Sequence, residues 1–124
     1  MDKRDTNSKI AELRDFIKDF RIARGWDKYN DPYDVAAALS CEASELLELL
    51  LWKKNEDVQA LITAEPKLKQ RLTEEVADIF AYILVLSDSL NIDLTDAFFS
   101  KMRKNSEKYP VINGTCARRK RWLE

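Results

Sequence analysis

CEASELLELLLW, residues 41–52, and EEVADIFAYILVL, residues 74–86, are apolar helical stretches interrupted by carboxylates. Side chains three apart lie on nearly one face of a helix, so Glu42 pairs with Glu45 and Glu75 with Asp78. Set among Leu, Ile, Val and Phe, these groups are expected to face a core or a cleft, where an unpaired charge is costly. Two glutamates at this spacing are also common on solvated faces. Against that reading, Leu46 to Leu51 is apolar at every angle except Glu48, and Asp78 is the only charge between Val76 and Leu86. A divalent metal carrying a phosphate ligand is the leading candidate to neutralise such carboxylates.

The rest of the chain fits a helical frame. Its 124 residues suit one domain with a single core, and only two Gly and three Pro accompany abundant Leu, Ala, Lys and Glu. The formal net charge of −1 implies no steering toward nucleic acid or a membrane surface. No apolar run approaches ~18 residues and no basic-then-apolar leader opens the chain, so the expected address is the cytoplasm. Cys41 and Cys116 are then expected to be free thiols, with a bridge between them left open. The chain has no histidine, which removes Ser-His-Asp and Cys-His nucleophiles, histidine-ligated zinc and imidazole acid–base chemistry. An enzyme built from this inventory must work with carboxylates, and hard-metal chemistry with Mg²⁺ or Mn²⁺ fits best.

Punctuation along the chain predicts four long helices. Asn7 or Ser8 caps a first helix to about Arg24, with Ile10, Leu13, Phe16, Ile17 and Phe20 inward, and Gly25 stops it. Asp31-Pro32 opens a second, running to about Trp52 and Leu-rich enough for burial on more than one side. Residues 53–65 form a short helix or a lid-like connection. Pro66 opens a third helix to about Leu90, and Asn91 and Asp93 turn the chain into a fourth, with Leu94, Ala97, Phe98 and Met102 inward, ended by Tyr109-Pro110. An all-α, four-helix-bundle-like domain over 1–110 with a tail over 111–124 is the simplest layer solution.

Two helices side by side at ~8–10 Å can gather all four carboxylates, and such a cluster is self-repulsive without a cation. Glu48, six residues from Glu42, is rotated well away and suits the surface at least as well. Trp52, seven beyond Glu45, and Tyr82, four beyond Asp78, lie on the same stripes, ~6–10 Å along the axis. That is a nucleotide's reach, although an aromatic on such a stripe is equally well core. If the helices run antiparallel, Trp52 and Tyr82 fall at opposite ends of the cluster, and one pocket takes one of them or borrows from a second subunit. Lys101, Asn105 and Lys108 lie within two helical turns, an arrangement that suits a polyphosphate grip or a solvated basic face.

At these residues the chain resembles the MazG-like all-α nucleoside triphosphate pyrophosphatase superfamily, and within it the branch containing dCTP pyrophosphatase. The resemblance runs through ARGWDKYNDP around Trp26, Glu42-Ala-Ser-Glu45-Leu with Glu48 and Trp52, Glu75-Val-Ala-Asp78-Ile with Tyr82, and the block from Lys101 to Tyr109-Pro110. Two positions depart: Lys108 stands where arginine is expected, and a histidine of some relatives near the first helix is absent. The resemblance implies Mg²⁺-dependent hydrolysis of a (deoxy)nucleoside triphosphate, such as dCTP or a modified dNTP, to monophosphate and pyrophosphate, a house-cleaning activity. It implies Glu42, Glu45, Glu75 and Asp78 as metal ligands and catalytic carboxylates, one of which, or a water they orient at the metal, supplies the nucleophile. Trp26, Trp52 and Tyr82 would form the base pocket, and Lys101, Asn105 and Tyr109 would hold phosphates or sugar. A homo-oligomer, dimer or tetramer, is implied as well. The alternative is a non-catalytic helical dimerisation or binding module using the basic tail Arg118-Arg119-Lys120-Arg121; no nucleic-acid partner is expected on the first reading.

Overall fold

The computed structural model describes residues 2–112 and 115–116. Five α-helices are present among the described residues: α1 (Ile10–Ala23), α2 (Pro32–Leu50), α3 (Asn55–Ala64), α4 (Pro66–Ser89) and α5 (Leu94–Lys108). Residues 53–65 therefore hold the short helix α3, and the other four are the long helices expected. Two units divide the chain, the first ending at Asn91 and the second beginning at Ile92. None of the described helices is long and apolar enough to cross a membrane.

In the first unit, α2 and α4 form the main pair and run antiparallel. Ser89 Oγ donates to the Asn30 carbonyl at 3.0 Å at one end, while Leu49 and Leu68 line one cavity at the other. Among the described residues Val35, Leu68, Leu84 and Val85 are the buried apolar side chains, and buried Ser87 satisfies its hydroxyl on the Leu84 carbonyl at 2.8 Å. Helix α1 lies along the C-terminal half of α4, where Lys18 pairs with Asp88 at 3.7 Å. Ile10, Leu13, Ile17 and Phe20 are half-buried as its stripe requires, but Phe16 is 70% exposed and points elsewhere. Helix α3 packs against the N-terminal half of α4 around Ile62, Leu72 and Val76.

Most helix ends follow the local chemistry. Asp31 Oδ1 accepts from the Tyr33 amide at 3.3 Å, with Pro32 as the first helical residue, and Gly25 takes φ +67° after α1. Asn7 does not cap α1. It closes a preceding 3₁₀ turn, Asp5–Asn7, by accepting the Arg4 amide at 2.8 Å, and Glu12 Oε2 instead accepts the Lys9 amide at 3.3 Å. Helix α2 stops at Leu50 rather than Trp52: its C-cap Leu51 is already extended at ψ 139°, and Trp52 follows with φ +65°.

In the second unit, Asp93 Oδ1 caps α5 through the Asp96 amide at 2.9 Å. Leu94 and Ala97 are half-buried, whereas Phe98 and Met102, expected inward, are exposed. Val111–Ile112 pairs antiparallel with Thr115–Cys116 in a two-residue ladder that no period announces. The basic cluster at 118–121 lies outside the described residues.

Candidate active site

The antiparallel pairing of α2 and α4 brings the two acidic motifs together. One carboxylate oxygen each from Glu42, Glu75 and Asp78 lie within 4.8 Å of one another. Glu42 and Glu75 are half-buried and Asp78 is exposed, so the cluster opens to solvent on one side rather than sitting in a core. Glu45 stays outside this tight group and is exposed, but its side chain reaches Glu42.

The electrostatics show the expected strain. Glu42 is pushed from 4.5 up to about 7, first by desolvation, then by hydrogen bonding of its protonated form to Glu75 and by the charges of Glu45 and Asp78. Glu75 Oε2 is buried without a hydrogen-bond partner. An orphaned buried acceptor is costly and is rare in native structures. Three converging hard oxygen donors, with one oxygen of Glu75 buried and unpartnered, fit a divalent ion such as Mg²⁺ or Mn²⁺.

Beside the cluster lies a cavity of about 610 Å³. Glu45, Glu48, Leu49 and Lys53 line it from α2 and its C-terminal end; Glu65, Lys67, Leu68, Arg71 and Glu75 line it from the start of α4. Glu48 thus joins the site's surroundings, because the cavity is broad enough to take in its side of the helix. Lys53, Lys67 and Arg71 are the residues that sequence reasoning missed. Their signal is faint: Lys67 and Arg71 precede Glu75 by eight and four residues, and basic residues at that spacing read as a solvated face.

The aromatic residues do not converge within one chain. Trp26 follows α1, its amide donating to the Arg21 carbonyl at 2.9 Å and its ring lying edge-on to Phe20 at 6.1 Å. Its loop is tied to the C-terminal end of α4 through Asn30 and Ser89. Tyr82, half-buried, lies toward that same end. Trp52 stands at the opposite end, 98% exposed. In the second unit Lys101, Asn105 and Tyr109 recur every four residues along α5 and its C-cap, with the Tyr109 amide donating to the Asn105 carbonyl at 2.8 Å.

The family model described as MazG-like family matches residues 37–121. Rat dCTP pyrophosphatase 1 is 31% identical over 102 residues, covering 82% of this chain and 59% of the relative. Human dCTP pyrophosphatase 1 is 29% identical over 111 residues, 90% of this chain and 65% of the relative. This chain therefore spans about three-fifths of the length of the curated relatives it matches. The crystal structure of a pyrophosphatase from Archaeoglobus fulgidus superposes with a TM-score of 0.74 at 35% identity, covering 88% of this chain and 99% of that one.

Proposed function

The chain belongs to the MazG-like family, and from that premise we propose that it is a Mg²⁺-dependent nucleoside triphosphate pyrophosphohydrolase. Its substrate in this reading is a (deoxy)nucleoside triphosphate, dCTP or a related or modified dNTP, split to monophosphate and pyrophosphate in house-cleaning of the nucleotide pool. The observation that carries the reading is the convergence of Glu42, Glu75 and Asp78 within 4.8 Å, with one oxygen of Glu75 buried and unpartnered. Mn²⁺ suits the same donors.

Glu42, Glu75 and Asp78 would hold the ion, and Glu45 stands beside Glu42 at the edge of that set. When bound, the ion neutralises phosphoryl oxygens and makes water a better nucleophile at neutral pH. Glu45, which touches Glu42 without joining the three converging oxygens, orients the attacking water and receives its proton. Tyr82 and Trp26 flank the base from one chain. Trp52, at the far end of the helix pair, serves the pocket of a second copy in a dimer or tetramer. Lys101, Asn105 and Tyr109 hold phosphate or sugar. The exposed thiol of Cys41 is compatible with a reducing, cytoplasmic setting.

The test is a panel of canonical and modified (d)NTPs with Mg²⁺, scored for pyrophosphate against orthophosphate, repeated with Asp78→Ala. Pyrophosphate release that disappears in a folded Asp78→Ala variant supports the reading. Orthophosphate as the main product, or full activity in the variant, contradicts it.

A further inference from the structure

The 610 Å³ cavity holds three cationic side chains, Lys53, Lys67 and Arg71, that the carboxylate chemistry alone leaves without a task. Four glutamates line the same space, yet no cation–carboxylate pair across it comes within 4.0 Å; the ion pairs among the described residues lie elsewhere. Lys53 Nζ donates to the Leu49 carbonyl at 2.9 Å, while Lys67 and Arg71 have no hydrogen-bond partner among the described residues. Cations beside acids that do not pair with them are available to an anionic guest.

Their order along α4 is the second observation. Asp78 and Glu75 come from the metal-binding end, then Arg71 about 6 Å further along the axis and Lys67 about 12 Å, at ~1.5 Å per residue. Negative side chains for a cation are thus followed on one stripe by positive side chains for an anion. Lys67 is also the second residue of a helix opened by Pro66, where the backbone dipole presents its positive end. A polyphosphate with its α-phosphorus at the carboxylates would lay its outer phosphates along Arg71 and Lys67.

We propose that Lys67 and Arg71, with Lys53 from the end of α2, form the subsite for the β- and γ-phosphates and so for the departing pyrophosphate. The proposal rests on the pyrophosphohydrolase reading and adds a direction to it: the polyphosphate points to the N-terminus of α4 and the nucleoside toward Tyr82. As water's oxygen bonds to the α-phosphorus, a water proton passes to Glu45 and the bond to the bridging oxygen breaks. The bond's electron pair stays on the pyrophosphate. The guanidinium and ammonium groups stabilise the charge that appears there.

Binding of inorganic pyrophosphate to the 124-residue chain in magnesium buffer, by titration calorimetry, tests this independently of turnover. Wild-type protein is compared with Arg71→Gln, Lys67→Gln and the double variant, with Lys69→Gln, on the α3-facing side of α4, as the charge control. Each cavity variant should weaken pyrophosphate by about tenfold or more, as expected for loss of a charge-assisted hydrogen bond. Arg71→Lys should restore part of the affinity, nucleoside monophosphate should bind all variants alike, and Lys69→Gln should match wild type. Both residues are exposed, and unchanged melting curves would confirm the fold. Pyrophosphate affinity unchanged in the double variant, lost equally in Lys69→Gln, or absent from wild type overturns the subsite. Hydrolysis by wild type, assayed separately, reports on the underlying activity.

Discussion

Glu42 concentrates the chemistry of the site in one side chain. Its carboxyl, held near 7 by desolvation and by Glu75, Glu45 and Asp78, binds a proton that an unfolded chain has already released. Raising the pH from 4.5 to about 7 therefore removes stability from the ion-free protein, and nothing is lost below that window. In chelator the melting temperature should fall across that range, and Glu42→Gln should flatten the fall; an unaltered slope in the variant contradicts the assignment. Cation binding competes with the same proton, so affinity for Mg²⁺ should weaken as pH drops below about 7. Glu75→Gln should lower pyrophosphate release by roughly 100-fold or more while the helices persist by circular dichroism. These carboxylates were legible in the sequence because charges stood where an apolar helix should have none. Lys67 and Arg71 were not, since a basic pair four apart looks the same whether it faces a cavity or open solvent.

The helices themselves were legible wherever a residue imposes a backbone constraint. Pro32 and Pro66 open α2 and α4, Gly25 turns the chain after α1, and Asp93 caps α5. Removing the cap in Asp31→Ala should cost about 1 kcal/mol in urea denaturation, a loss that Asp31→Asn should largely avoid. The misread ends are those settled by competition between neighbouring groups. Asn7 is drawn into its own 3₁₀ turn by the Arg4 amide, leaving α1 to Lys9 and Glu12. At Trp52 the chain enters left-handed backbone space, which a bulky residue occupies at a cost. Comparing Trp52→Gly with Trp52→Ala isolates that cost: the glycine variant should be more stable by about 1 kcal/mol. Equal stabilities would mean that the positive φ is not retained in solution.

Across the molecule, the Leu-rich character of α2 led to an expectation of burial on several sides that one chain does not meet. Leu47 is 59% exposed and Val76, on α4, 54%; Leu51 and Phe80 are also exposed. Trp52, 98% exposed, is likewise left uncovered by its own chain. Both facts favour a second copy, and sequence alone signals such a partner only as surplus apolar residues. Sedimentation at micromolar concentration should show a dimer or tetramer, with Leu47→Asp shifting the equilibrium toward smaller species. A monomer would remove Trp52 from the pocket. Attack of water on the α-phosphorus at the Glu42–Glu75–Asp78 cluster is decided by hydrolysing dCTP with Mg²⁺ in ¹⁸O-labelled water and weighing the products. One labelled oxygen is expected in the monophosphate and none in the pyrophosphate; label in pyrophosphate or in orthophosphate would rule out attack at the α-phosphorus.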